Sequence, residues 1–231
     1  MKPRYSAVML ASLALVLSQP TSARSCALAL SIGLDISKSM DSTDFSLAFQ
    51  GTAQALRDPE VQDLILSQPG GVALTAFEWG GEGKQWVIEG WTPMRSKEDI
   101  DAFAQKIADR RRSGMGQHTG TGSAIEFGYK QLSTGPQCER LVVDISSDGY
   151  NNDGPSPADF YATGPTDWIT VNALVVGGKS RPVLWDWFRD EVVRGPGSFS
   201  VGTVDFEDYA EAIKEKFMRE LQPAPMLAKA R

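Results

Sequence analysis

The chain has 231 residues, of which 42% are hydrophobic and 23% charged, and a formal net charge of −6. Such proportions belong to a globular chain with room for a sizeable buried core, and they exclude a disordered or low-complexity protein. The acidic balance argues against a nucleic-acid backbone as partner.

The first residues read as an address rather than as structure. Lys2 and Arg4 precede the apolar stretch AVMLASLALVL (7–17), which small residues follow. A short basic region, an apolar run and small residues at a cut form the secretory signal pattern. The expected signal is 1–23, with cleavage after Ala23 or Ser25. A membrane anchor is the alternative, but the run falls short of the ~20 residues a span requires. Removal of 1–23 takes away Lys2 and Arg4 and no acid, which moves the net charge from −6 to −8. The mature protein is therefore expected outside the cytoplasm, periplasmic or secreted.

From Cys26 onward, strand-like and helix-like segments alternate. The apolar, β-rich runs are 27–34, 71–79, 85–91, 140–146, 168–176 and 198–204. Helical patterns fall at 45–58 (with a possible continuation through PEVQDLILSQ), 96–111, 122–132, 181–193 and 206–221. Only the second and third runs are joined by a turn short enough for a hairpin, GGEGK (80–84). Alternation elsewhere implies parallel strands with helices on both faces. The expected architecture is one doubly wound α/β domain over 26–221, with a mostly parallel sheet, one antiparallel edge strand and a frayed tail at 222–231.

Export changes the meaning of the two cysteines, which in an oxidising compartment read first as a disulfide. Cys26 and Cys138 open two apolar runs that end at Asp35 and Asp148, at nearly equal offsets. If those strands are parallel neighbours, ~4.8 Å apart, both cysteines lie at one sheet edge within bonding reach. Two separate buried thiols are the alternative.

Ligands in a doubly wound fold bind at the carboxyl ends of the strands. Three polar clusters fall there: DISKSM (35–40), QHTGTGSA (117–124) and SSDGYNND (146–153). They supply Asp35, Ser37, Ser39, Thr121 and Asp148, all hard oxygen donors, whereas His118 is the sole histidine. Two carboxylates and several hydroxyls suit Mg²⁺, with Mn²⁺ or Ca²⁺ as alternatives, and leave a net positive ion able to take an acidic group. Helix capping accounts less well for the first cluster, because Asp41 or Ser42 is better placed to cap DFSLAFQ. Asn151, Asn152 and Asp153 read as turn formers or as partners of the ligands, since the loop fails the EF-hand spacing.

The pattern DxSxS, then a threonine in TGTGSAI, then Asp148 in SSDG, resembles the von Willebrand factor A (VWA) domain and its metal-ion-dependent adhesion site. Asp35, Ser37 and Ser39 match the first-loop positions, Thr121 rather than Thr119 matches the ligand threonine, and Asp148 matches the aspartate after the fourth strand. LRDPEV (56–61), GGVALTAFEW and DGYNNDGP (148–155) are further similar to a branch of exported bacterial VWA-like proteins without an assigned function. The resemblance implies a bound divalent cation, a protein partner that offers Asp or Glu, and a last helix (206–221) able to shift. Lys38 departs from the glycine common between the two serines; its ammonium either stays in solvent or crowds the ion.

Rival readings are a metal-dependent hydrolase or phosphatase and a structural domain with a vestigial site. The chain is expected to be no enzyme: it has no G-x-S-x-G elbow, no P-loop, and at Ser37 lacks the second aspartate of many phosphoryl-transfer enzymes. Two further features invite a surface reading. The run Arg110–Arg111–Arg112 reads as a cationic helix end or as a lure for an acidic partner. Trp185 and Trp187, two apart, should not share one helical face, so one of them is expected to be exposed.

Overall fold

The computed structural model describes residues 26–112, 116–163 and 168–222. The expected signal segment 1–23 and residues 223–231 of the tail lie outside the described residues.

The elements run β1 (Cys26–Asp35), α1 (Ser42–Arg57), α2 (Pro59–Ser67), β2 (Val72–Trp79), β3 (Gln85–Met94), α3 (Lys97–Ala108) and α4 (Thr121–Ser133). They continue with β4 (Cys138–Ser147), α5 (Pro157–Thr163), β5 (Thr170–Val175), α6 (Pro182–Trp187), β6 (Ser200–Gly202) and α7 (Tyr209–Leu221). Among the described residues the sheet has six strands in the order β3-β2-β1-β4-β5-β6. Every neighbouring pair is parallel except β2–β3, which the turn at 80–84 closes as an antiparallel hairpin. The fold is thus an α/β sheet of the expected type, with its one antiparallel strand at the edge.

Burial on two sides explains the composition of β1, whose residues are all buried. Leu28, Leu30, Ile32 and Leu34 face a core shared with α1, α2, α3 and α7. Ala29 faces a second core under α4 and α6. At Gly33 a Cβ would stand 2.5 Å from the Phe77 ring, so this position requires glycine.

Helix boundaries follow local chemistry. Asp41 caps α1 by accepting from the Thr43 and Asp44 amides, and Asp44 returns a bond to the Asp41 amide, a capping box. The helical pattern that starts at 45 does not run on unbroken. Asp58 ends α1 and caps α2, because Pro59 keeps the residue before it out of helical geometry. Helix α3 stops at Ala108, three residues short of the expected end. After α6 the helix widens into a π turn over Phe188–Val192.

Cys26 and Cys138 are register partners in the β1–β4 pair and form a disulfide, with their Cα atoms 4.6 Å apart. The near-equal offsets to Asp35 and Asp148 therefore identified both the bond and the strand pairing. The disulfide lies at one end of β1 and Asp35 at the other.

Candidate metal centre

The sheet order reverses between β1 and β4, so the chain leaves these two strands in opposite directions and opens a crevice at their carboxyl ends. Asp35 is the last residue of β1, and Asp148 follows the end of β4.

The first loop is wound around Asp35. Its Oδ1 accepts the Ser37 amide at 2.6 Å, and its Oδ2 accepts the Ser147 hydroxyl at 2.5 Å. Ser37 and Ser39 share a hydrogen bond of 2.9 Å between their Oγ atoms, and Ser39 Oγ donates to Asp148 Oδ1 at 2.7 Å. Hydrogen bonds therefore join Asp35, Ser37, Ser39 and Asp148 into one cluster. The loop is tied from outside by Arg112, whose guanidinium donates to the Met40 and Ser37 carbonyls. Lys38 is exposed.

Thr121 stands apart, at the first turn of α4, and its hydroxyl makes no hydrogen bond to these four residues. The Gly120 amide donates to the Gly80 carbonyl, which holds this loop against the β2–β3 turn. On its other side the 148–155 loop latches onto it. Asn152 accepts the Thr119 amide at 2.9 Å and returns its own amide to the Thr119 carbonyl at 2.8 Å. Asn151 accepts the Gly122 amide at 3.2 Å, and Asp153 accepts the Glu82 amide at 2.9 Å. Any Cβ at Gly122 would lie 2.2 Å from the Pro155 carbonyl oxygen, so only glycine allows the two loops to close. Thr121 is fully buried, and its Oγ1 has no hydrogen-bond partner. A buried hydroxyl left unpaired costs about 1–3 kcal/mol, so this atom calls for an explanation.

The electrostatics point the same way. Burial, and then the neighbouring charge of Asp148, push the Asp35 carboxyl up to about 7 against the pull of its hydrogen bonds. Asp148 is also raised, chiefly by burial, while the Ser39 hydroxyl lowers it and Asp44 adds repulsion. Two carboxylates that oppose each other's ionisation are relieved by a cation. Among the described residues no group of three or more His, Cys, Asp or Glu side chains could hold a metal, and the cluster at this edge combines two carboxylates with serine hydroxyls. That donor set fits a hard divalent ion.

The chain matches the family described as "Protein of unknown function (DUF1194)" over residues 25–225. It belongs to that family. No curated protein matches it. Among solved structures, this DUF1194 protein is similar to proximal thread matrix protein 1 from the mussel byssus, with 16% identity and a TM-score of 0.61 over 87% of this chain and 48% of that one. A von Willebrand factor type A protein from Catenulispora acidiphila aligns at 14% identity and 0.60 over 85% of this chain and 43% of that one. BatB from Bacteroides thetaiotaomicron aligns at 15% and 0.54 over 84% of this chain and 98% of that one. The DUF1194 chain thus has the VWA fold, and it spans about half the length of the first two of these structures.

The roles of several residues at this edge had no signal in the sequence. Ser147 and Arg181 act on the aspartates from across the fold; Arg181 donates to the Asp148 carbonyl at 2.8 Å. The arginine run follows the end of α3, and two of its three side chains are tied into the fold. Arg110 forms an ion pair with buried Glu78, and Arg112 clamps the first loop, which leaves Arg111 as the exposed member. The expected exposed tryptophan is also corrected: both are half-buried. Trp185 packs over Gly178 and Gly202, and Trp187 meets the Tyr150 ring edge-on at 5.4 Å.

Proposed function

We propose that this protein is an exported interaction module that holds a divalent cation, Mg²⁺ first, through Asp35, Ser37, Ser39, Thr121 and Asp148. A partner's Asp or Glu would bind at the same edge. The observation that carries this reading is the buried, unpartnered Thr121 Oγ1 at an edge where Asp35, Ser37, Ser39 and Asp148 already converge. A cation gives that oxygen a partner and supplies positive charge for an acidic side chain. The protein's own part is positional: Ser147 and the Ser37 amide orient Asp35, Ser39 orients Asp148, and the asparagine latch sets Thr121. One fold neighbour, proximal thread matrix protein 1, has been solved with a zinc-occupied MIDAS motif, which supports a divalent ion of some kind. Export is supported by the disulfide, and no helix among the described residues is long and apolar enough to cross a membrane. We read the module as non-enzymatic, since the sequence carries neither a G-x-S-x-G elbow nor a P-loop.

Thermal unfolding of the chain from residue 24, in EDTA and then with Mg²⁺, Mn²⁺ or Zn²⁺, tests the site. An ion that binds only the folded state stabilises it by about 2.7 kcal/mol at a hundredfold excess over Kd. The expected rise disappears in Asp35→Ala. An equal rise in wild type and variant would overturn the assignment. Metal-dependent turnover of a phosphate ester that requires Asp35 would favour the hydrolase instead.

A further inference from the structure

At the end of the sheet away from the metal edge, a cleft of about 440 Å³ opens between the starts of β4 and β5 and the end of α7. That volume suits a small molecule. Arg140, Glu220, Phe199, Arg219 and Trp168 are among its walls.

Two of these side chains are held rigidly and left incomplete. Arg140 donates through Nη1 to the Glu220 and Gln222 carbonyls at the end of α7, at 2.6 and 3.2 Å. Its Nη2 is buried and has no partner. Glu220 is 3% exposed, and its Oε1 accepts from Lys216 at 2.7 Å and Asn172 at 2.9 Å. Its Oε2 is buried and likewise unpartnered. Asn172 in turn accepts the Phe199 amide at 3.0 Å, so the polar floor is preorganised before any ligand arrives.

The wall of the cleft therefore holds a guanidinium N–H and a carboxylate oxygen that are both buried and lack a partner within the protein. The other walls are aromatic: the Arg219 guanidinium stacks 3.9 Å from the Phe199 ring centre, and Trp168 keeps 46% of its surface exposed. Buried polar atoms without partners are costly, and a ligand that supplies both complements recovers that cost. From this geometry we propose that the cleft binds a free α-amino acid with a large apolar side chain. Its carboxylate meets Arg140, its ammonium meets Glu220, and its side chain lies against Trp168. The site is independent of the metal edge.

Titration calorimetry in EDTA, with L-phenylalanine as the probe, tests this without any mutation. EDTA removes the route by which the probe's carboxylate could bind a metal. N-acetyl-L-phenylalanine lacks the ammonium and L-phenylalaninamide lacks the carboxylate, so each should bind at least about tenfold more weakly, equivalent to about 1.4 kcal/mol. Glu220→Gln keeps the size and the Asn172 contact, and it should erase the preference for L-phenylalanine over its N-acetyl form. No heat with L-phenylalanine, L-leucine or L-tryptophan would overturn the proposal. So would equal binding of the blocked compounds.

Discussion

At the scale of single residues, the decisive atom is Thr121 Oγ1. If it waits for a cation, Thr121→Val removes a ligand but also a buried hydroxyl without a partner. The variant should lose most of the metal-induced rise in unfolding temperature. In EDTA it should be as stable as the wild type or more so, by up to about 1–3 kcal/mol, since an unsatisfied group has gone. A loss of stability in EDTA would show that the hydroxyl has a role within the fold itself. A second residue, Asp144 on β4, carries a different test. It lies fully buried beside Lys216 and Glu220, and burial followed by the Glu220 charge pushes it up to about 7. Because its folded pKa exceeds the unfolded value of about 3.9, the folded state holds the proton more tightly between those values. The wild type therefore loses stability across that window as pH rises, and its contribution is flat above about 7. Relative to it, Asp144→Asn should gain up to about 1.4 kcal/mol per pH unit from pH 4 to 7, read from urea midpoints. A constant difference would mean that Lys216 keeps Asp144 ionised throughout.

Elements and loops set where these residues stand, and the latch between the 117–122 and 148–155 loops is the sharpest case. Gly122→Ala would press a methyl into the Pro155 carbonyl, a backbone atom unable to swing away. Overpacking of this kind costs typically about 1–3 kcal/mol. The loss should appear as a lower urea midpoint together with a weaker metal response, since Thr121 is the adjacent residue. The motifs on these loops were readable in the sequence because the candidate ligands are carried as compact patterns, DISKS and TGTG, each at the end of a recognisable strand or the start of a helix. Strand order was readable for a similar reason: Cys26 and Cys138 sit at matching offsets from the two aspartates. What escaped the sequence acts across the fold. Nothing local to Ser147 or Arg112 marks a partner 112 or 72 residues away. The pattern at 96–111 overran the true end of α3 because arginine is a good helix former, whereas Glu78 and the Met40 carbonyl compete for the side chains of Arg110 and Arg112. The tryptophan expectation failed because tertiary partners cover both sides of the helix: glycines 178 and 202 leave room for Trp185, and Tyr150 covers Trp187.

On the scale of the whole molecule, the disulfide and the candidate metal site stand at opposite ends of β1, Cys26 and Asp35. Ten extended residues put them roughly 30 Å apart. They also act on different states of the chain. The disulfide closes a loop with a sequence separation of 112 and restrains chiefly the unfolded ensemble, so replacement of both cysteines by alanine should cost about 2–5 kcal/mol. A bound ion stabilises the folded state alone. Sites this distant, without a shared partner, should contribute additively, to within about 0.5 kcal/mol. The measurement is a cycle of four unfolding free energies: wild type and Cys26→Ala/Cys138→Ala, each in EDTA and in saturating Mg²⁺. Equal metal increments in the two proteins would mean that β1, packed on both faces and paired on both edges, holds Asp35 in place whether or not its far end is cross-linked. A smaller increment in the cysteine-free protein would mean that the bond also determines how β1 and β4 meet at the crevice. The ligand geometry would then depend on the Cys26–Cys138 bond as well as on the loops.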